Sequence, residues 1–393
     1  MERSSVDVVV VGAGPAGLLV TSRIKSLEVI VFEEHSKVGL PKHCAGIVGY
    51  ETAIMIERET SPKVIDHRYN RLVFIAPNCR VDLVFKRDIA FHVNRPLLEE
   101  IMALKVESLG HKIVFNNKAY PYSLKRVLVS GGLLEYKYLV VADGARSVFR
   151  ERLIGDKPKY LVGLQICAKV RNLDEKTLYV FYNNLVPEFF AWIIPLGDEA
   201  LIGVASLESS RAYRVLQYTQ KYLDIPVASV YEKFGGLIPL YNPLRNPVLG
   251  DCVVFHGDSV PLTKPYTGGG LHYIFKLSPV LARLLEENRL RDYSALYKRI
   301  FYFKNSLERV LVNYLRRLNA YYLPTKIVNW LYSLGLLQEG DFDNQYRIFL
   351  KSLGVTPVLT VFAFLDIFKT LHNVFNESIN SSRYLARDVN SNI

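Results

Sequence analysis

The residue types able to do chemistry gather in a few short stretches of this 393-residue sequence. Cys44 lies in PKHCAG, residues 41–46, beside Lys42 and His43. The thiolate is the reactive form of cysteine, and neighbouring cations favour it. Gly12-x-Gly14-x-x-Gly17 follows the apolar run VDVVVV, and Glu33 stands 21 residues beyond Gly12 in EVIVFEE. In such a turn the first glycine permits the tight bend and the second lets a pyrophosphate approach the backbone. The third lets helix and strand pack closely. The helix opening there offers its amides to phosphate. An acid at the spacing of Glu33 accepts ribose hydroxyls, with Glu34 as the alternate. Two later acids sit in comparable places. Asp143 follows a strand in VVADGARS, and Asp258 follows another in VVFHGDSVPLTKPYTGGGLH, ahead of a glycine triplet. Asp258 suits a ribityl or ribose hydroxyl, while the amides near Gly269, Gly270 and Leu271 suit negative charge on a cofactor ring.

The elements that must hold these residues follow from periodicity. VDVVVV, residues 6–11, is a continuous β-branched run typical of a strand buried on both faces. The glycine turn, a helix to about Leu27 and the strand EVIVFEE complete a β-α-β unit. Further strands are predicted at 71–76, 81–85, 112–116 and within 137–147, and a helix over RPLLEEIMALKVESLG, ending at Gly110. From about 160 to 240 the pattern changes to LVGLQICAKV, TLYVFYN, FFAWIIPL and EALIGVAS, which predict an antiparallel sheet. The chain then returns to a strand, the glycine-rich turn and a long helix. Beyond about 290 it reads as helical, with a polar tail. The expected organisation is a discontinuous nucleotide-binding domain (1–155 and 245–290), an inserted antiparallel-sheet substrate domain (156–244) and a C-terminal helical region (291–393).

Nucleotide-type turns at 12, 143 and 258 resemble the glutathione-reductase-type FAD-binding Rossmann fold, in the branch shared with aromatic hydroxylases. The resemblance covers roughly residues 6–290 and implies an α/β fold class with FAD as cofactor. Within that branch the chain is similar to the geranylgeranyl reductase family, especially the archaeal enzymes that saturate isoprenoid chains of membrane lipids. The family pattern has Pro-x-x-Cys-Gly/Ala after the second strand, here Pro41 to Ala45, and an arginine leading a helix, here Arg95 in VNRPLLEEI. Its third element is Tyr-x-Trp-x-Phe-Pro, then seven or eight residues and Gly-x-Gly. Here that element reads Phe190-x-Trp192-x-Ile194-Pro195, then seven residues, Gly203, Val204 and Ala205. Phenylalanine at 190 removes any proton-donating hydroxyl there and leaves an apolar wall.

The resemblance implies FAD contacts from Gly12, Gly14, Ala16, Gly17, Glu33, His43, Cys44, Ala45, Arg95, Asp143, Asp258, Gly269, Gly270 and Leu271. Ala119 would meet the adenosine part through its backbone, and the 269–271 amides would face N1/O2 of the ring. Phe190, Trp192 and Pro195 would line the substrate tunnel. Cys44 then has two readings. One is a small buried residue, the common fate of cysteine. The other is a thiol near flavin N5, with Lys42 and His43 as the adjacent cations. Saturating an alkene needs a hydride at one carbon and a proton at the other, and such a thiol could donate the proton or position the alkene. His92, His256 and His272 are read as locally hydrogen-bonded.

Composition bounds the partners. A formal net charge of +11 points to an anionic partner: lipid headgroups, nucleic acid or a phosphorylated substrate. No nucleic-acid recognition motif is present, so no nucleic-acid partner is expected. The cysteines at 44, 79, 167 and 252 show no CxxC or metal-type spacing, and no metal is expected. No apolar run reaches the ~18 residues of a membrane span; VTPVLTVFAFLDIF, residues 355–368, suits a buried or interfacial helix. YLRRLNAYYLPTKIVNWLYSLG, residues 314–335, suits either a membrane surface or a solvated helical cap. The charged start of the chain runs straight into a strand, so no signal peptide is expected, and the expected location is the cytoplasmic face of the membrane. The expected activity is FAD-dependent saturation of geranylgeranyl C=C bonds in membrane-lipid precursors, with ferredoxin or NAD(P)H as the external electron donor. The alternatives are an FAD-dependent aromatic-type monooxygenase and a flavin-carrying lipid-binding protein without turnover.

Overall fold

Val8, Val9 and Val10 have no solvent exposure, so the first strand, Ser5–Val11, is covered on both faces, as its unbroken apolar run requires. It pairs in parallel with Val29–Phe32 on one side and Gly132–Val141 on the other. Lys112–Val114 and Val253–Phe255 extend the parallel core outward, and an antiparallel strand, Val248–Leu249, closes one edge. The strands Tyr120–Ser123 and Arg126–Val129 complete this eight-stranded sheet. The computed structural model describes residues 5–77, 79–157, 159–222, 229–240 and 242–354; residues 355–368 and the polar tail lie outside the described residues.

The register decides where the chemistry can sit. Val11 is aligned with both Phe32 and Val141, and Val141 with Phe255. The next residues along these strands, Gly12, Glu33, Ala142 and His256, therefore emerge together at the carboxyl edge, where open α/β sheets bind ligands. The helix after the first turn, Pro15–Thr21, is shorter than the periodicity predicts. Its end is drawn off by local bonds: Thr21 and Ser22 hydroxyls donate to the carbonyls of Gly17 and Leu19, and Glu286 accepts from the amides of Lys25 and Ser26.

A second, seven-stranded sheet runs in the order Val230–Ile238, Leu161–Lys169, Glu199–Ser206, Ala191–Pro195, Thr177–Phe181, Arg71–Ala76 and Cys79–Val84. It differs from the sequence reading in two ways. Two of its strands come from residues 71–84, and the junction between Thr177–Phe181 and Arg71–Ala76 is parallel. A run of alternating strands specifies which faces are apolar, not which distant strand takes the free edge. The helix Ser209–Tyr222 covers one face with Ala212, Val215 and Leu216. The other face packs against the C-terminal helices through Tyr321, Tyr322, Val328 and neighbours. A small third sheet joins Ile47–Gly49, Ala90–Val93 and Ile65–Tyr69, and the PKHCAG loop runs directly into it.

Candidate functional site

The first glycine turn is shaped by contacts that leave no room for side chains. Gly12 has φ +98°, and a Cβ there would overlap the carbonyl oxygen of Ala142 in the neighbouring turn. A Cβ on Gly17 would overlap the carbonyl oxygen of Gly12. At Gly14 nothing lies within 4 Å of such a Cβ, so this is the open side of the turn. Ala16 packs on the 257–259 turn, where a Cβ on Gly257 would stand 2.6 Å from its methyl. Glu33 closes the cradle: Oε2 accepts from Ala13 N at 2.8 Å and Oε1 from His35 N at 2.9 Å. Glu34, the alternate, is instead paired with Lys118 at 2.5 Å at the surface. Ala119 is buried beside this segment, since Asn117 N donates to the Glu33 carbonyl at 2.9 Å.

Two acids at the same sheet edge are held away from water. Asp143 accepts from Phe149 N at 3.3 Å through Oδ2, while its Oδ1 is buried with no partner. Burial pushes its carboxyl up to about 6. Asp258 is pushed up to about 6 by desolvation, against the pull of the nearby Arg95 charge. Beyond it, Gly270 caps the helix Leu271–Glu286 with no side chain bonding the first-turn amides, and a Cβ there would lie 3.5 Å from Asp258 Oδ1. Asp143→Asn carries a pH signature. Because the folded pKa is raised, ionising Asp143 opposes folding above about pH 6 and costs nothing below about pH 4. The variant is expected to melt higher than the parent at pH 7.5 but not at pH 4, with both proteins flavin-free.

The PKHCAG loop is fastened across the second sheet. Lys42 Nζ donates to Glu232 Oε2 at 2.9 Å, and His43 Nδ1 donates to the Gly235 carbonyl at 3.1 Å. Close approach at this point needs glycine, because a Cβ on Gly236 would stand 2.5 Å from the His43 carbonyl oxygen. Cys44 is exposed, which rules out the buried-residue reading. Its sulfur accepts from Gly46 N at 3.4 Å, and the Arg95 guanidinium lies near enough to interact with it electrostatically. The cation at the sulfur is therefore Arg95; Lys42 and His43, the expected pair, are bonded to the strand Val230–Ile238. Arg95 opens the helix Arg95–Ser108 and is held by Glu99 one turn on, with Nη2 to Oε1 2.5 Å. Glu99 also accepts from Gly39 N at 3.1 Å, so one carboxylate positions both the arginine and the start of the loop. Proximity to this carboxylate and to the sulfur raises the Arg95 pKa further, outweighing desolvation.

The aromatic wall stands on the same sheet. Trp192 Nε1 donates to Gln165 Oε1 at 3.1 Å, and its indole lies over Gly203, where any Cβ would collide with the ring. This contact explains the spacing between the tryptophan and the later glycine. Phe190 meets Trp192 edge-on at 6.2 Å and stacks on Phe189 at 4.2 Å. Pro195 presents its carbonyl to the Tyr69 hydroxyl at 2.7 Å. Tyr182, Tyr266 and Tyr321 join this cluster and were not anticipated from the sequence. Tyr266 OH donates to the Tyr321 carbonyl at 3.0 Å, so Tyr182 OH must donate to Tyr266 OH at 2.6 Å. Tyr266 alone carried a signal, lying inside KPYTGGG. Its glycine turn also touches the strand that holds His43: a Cβ on Gly268 would stand 2.6 Å from Ile238. The loop and the glycine turn thus converge on Gly235, Gly236 and Ile238.

One other sequence reading resolves differently. Much of 314–335 packs inward: Tyr321, Tyr322, Leu323 and Leu331 are buried and Arg316 donates to the carbonyls of Glu188 and Pro265, while Tyr314 and Arg317 stay exposed. The histidines are locally bonded, as expected. His256 bonds Tyr293 at 3.0 Å and Ser278 at 2.8 Å, His92 bonds Asp66 at 2.5 Å, and His272 bonds Thr52 at 2.9 Å. Behind His272, buried Asp343 accepts from Thr52 Oγ1 at 2.6 Å and pairs with Lys264 at 3.3 Å, tying the C-terminal region to the glycine turn.

No family model matches the chain. Among curated proteins, the digeranylgeranylglycerophospholipid reductase of Methanococcus aeolicus is 24% identical over 309 residues, 72% of this chain and 77% of the relative. The protein of the same name from Methanosphaerula palustris is 23% identical, over 69% of this chain and 73% of the relative. Among solved structures, a geranylgeranyl bacteriochlorophyll reductase-like protein from Thermoplasma acidophilum superposes with a TM-score of 0.68 at 15% identity, covering 94% of this chain and 99% of that one. In sequence and in fold the chain is similar to these reductases. A probable FAD-dependent monooxygenase from Pseudomonas aeruginosa has the same fold, with a TM-score of 0.64 at 16% identity, over 80% of this chain and 97% of that one. Against the pattern of geranylgeranyl reductases the chain departs at Phe190, Ile194 and Ala205 but keeps Trp192, Pro195 and Gly203.

Proposed function

We propose that this protein is an FAD-dependent reductase that saturates C=C bonds of geranylgeranyl chains in isoprenoid membrane-lipid precursors. The observation that carries the reading is the convergence of the Cys44 loop and the 264–270 turn on one strand of the sheet that bears the aromatic wall, with Arg95 near Cys44. The residues present fit FAD in a glutathione-reductase-type arrangement. The space beside Gly14, the unpartnered Asp143 Oδ1 and the uncapped amides after Gly270 are what a dinucleotide's phosphates, hydroxyls and ring edge require. Glu33 would take the ribose hydroxyls, Asp258 and Asp143 further hydroxyls, and Ala119 the adenosine edge. FAD, when bound and reduced, would supply the hydride.

The chain's own residues supply the rest. The Cys44 Sγ–H gives its proton to the second alkene carbon, leaving the charge on sulfur. The Arg95 guanidinium near that sulfur offsets the negative charge left there. Solvent reprotonates it between turnovers, because Cys44 is exposed. Phe190 and Trp192 give the prenyl chain an apolar surface and exclude water. Electrons come from an external donor, ferredoxin or NAD(P)H.

A lipid substrate of this kind would bring the protein to a membrane surface. Among the described residues no helix is long and apolar enough to cross a membrane. The helix Phe303–Arg317 turns Phe303, Leu307, Val310, Leu311 and Tyr314 to solvent. Exposed Lys304 and Arg317 stand at its two ends, a pattern suited to an anionic lipid surface. The test of the activity is anaerobic: flavoprotein reduced with dithionite, then mixed with a geranylgeranyl glycerolipid, is expected to reoxidise its flavin without oxygen. Flavin that stays reduced until oxygen is admitted would favour the monooxygenase and sink this reading.

A further inference from the structure

The third sheet holds a group of side chains that the proposed chemistry does not use. Successive residues of a strand point to opposite faces. Between Ile65 and His67, however, the register slips by one residue: Ile65 faces Val93 and His67 faces His92, leaving Asp66 as the inserted residue of a bulge. Such bulges re-aim side chains. Here the Asp66 carboxylate comes to the side of the sheet occupied by both histidines. Its Oδ1 lies 3.3 Å from His67 Nδ1 and 2.5 Å from His92 Nδ1. One ligand atom from each residue falls within 4.8 Å of the other two.

We propose that Asp66, His67 and His92 bind a divalent transition-metal ion, zinc by donor set, with water completing the coordination. Two imidazole nitrogens and a carboxylate oxygen are ligands zinc accepts at about 2.0–2.2 Å. An ion at their common focus replaces the two hydrogen bonds that now join them. Each Nδ1 then offers a lone pair, and its proton moves to Nε2 or leaves to solvent. Access is open, since the Asp66 and His67 side chains are 33% and 31% exposed while His92 anchors the site at 11%.

The site bears on the Cys44 loop without touching the reacting atoms. The His92 Nε2 would stand 3.0 Å from a Cβ on Gly46, Val93 N donates to the Gly46 carbonyl at 2.8 Å, and Gly46 N donates to the Cys44 sulfur. A bound ion therefore fixes the strand against which the loop rests. The inference does not depend on the proposed activity.

The experiment titrates the full-length, chelator-treated protein with Zn2+ by calorimetry, with Co2+ as spectroscopic probe. The expected result is one ion per chain, with affinity at least about tenfold weaker in His67→Ala and binding lost in His92→Ala. His67 is partly exposed, so its replacement keeps the fold, which the melting curve checks, and it decides the matter if His92→Ala fails to fold. Absence of a saturable site, equal affinity in His67→Ala, or a Co2+–thiolate charge-transfer band marking a cysteine site would each overturn the proposal.

Discussion

Cys44→Ala is expected to lower alkene saturation about 10²- to 10⁴-fold, the range a positioned proton donor contributes, while flavin content stays at the parent level. The geometry separates the two effects. The loop is held by Lys42 to Glu232, His43 to Gly235 and Gly46 to Val93, none of which involves the thiol. Removing the sulfur therefore leaves these ties in place and frees only the Gly46 amide. What is lost is the proton that must reach the second carbon and the group that Arg95 is placed to stabilise. The decisive reading is single-turnover reoxidation of reduced flavoprotein by lipid, compared at equal flavin content. Turnover within about twofold of the parent would remove Cys44 from the mechanism and leave the loop a purely positioning role.

The second large effect lies in the glycine turn and is best read as a pair. Gly17→Ala puts a methyl where the Gly12 carbonyl oxygen already is, so either the helix Pro15–Thr21 moves off the sheet or the turn opens. Overpacking of this kind costs about 1–3 kcal/mol, and both the apoprotein's melting temperature and its flavin retention are expected to fall. Gly14→Ala meets no atom within 4 Å. Its apoprotein is expected to melt like the parent and yet lose flavin, because the methyl occupies the space a pyrophosphate needs. Flavin absorbance per chain after gel filtration, with apoprotein melting, checks both. Flavin retained at the parent level in Gly14→Ala would contradict the assignment of that space.

Much of this site was legible because its parts are local. VDVVVV, the glycine turn and Glu33 lie within one β-α-β unit, and backbone register then brings them to one edge. The glycine of the tryptophan motif is likewise explained by a single cross-strand contact. What failed to show was contact between distant segments. Arg95 and Cys44 were each singled out, but adjacency in sequence favoured Lys42 and His43 as the cations, whereas folding turns those two toward Val230–Ile238. The strands at 71–84 were found and their sheet was not, because strand periodicity does not encode which edge is free. Residues 314–335 read as amphipathic with a basic side, yet Arg316 has buried carbonyl partners and the tyrosines pack into the aromatic wall. His92 was read as locally hydrogen-bonded, but nothing in the sequence joined it to His67, since only the bulge at Asp66 brings the two to one carboxylate.

The central claim is that the protein adds hydrogen, and not oxygen, to a prenyl chain. Mass spectrometry of a geranylgeranyl glycerolipid, incubated anaerobically with the purified flavoprotein and reductant, tests it most directly. The account predicts a ladder of products, each two hydrogens heavier than the last and none containing added oxygen. A product one oxygen heavier under air with no anaerobic product, or unchanged lipid beside a fully loaded flavoprotein, would contradict it.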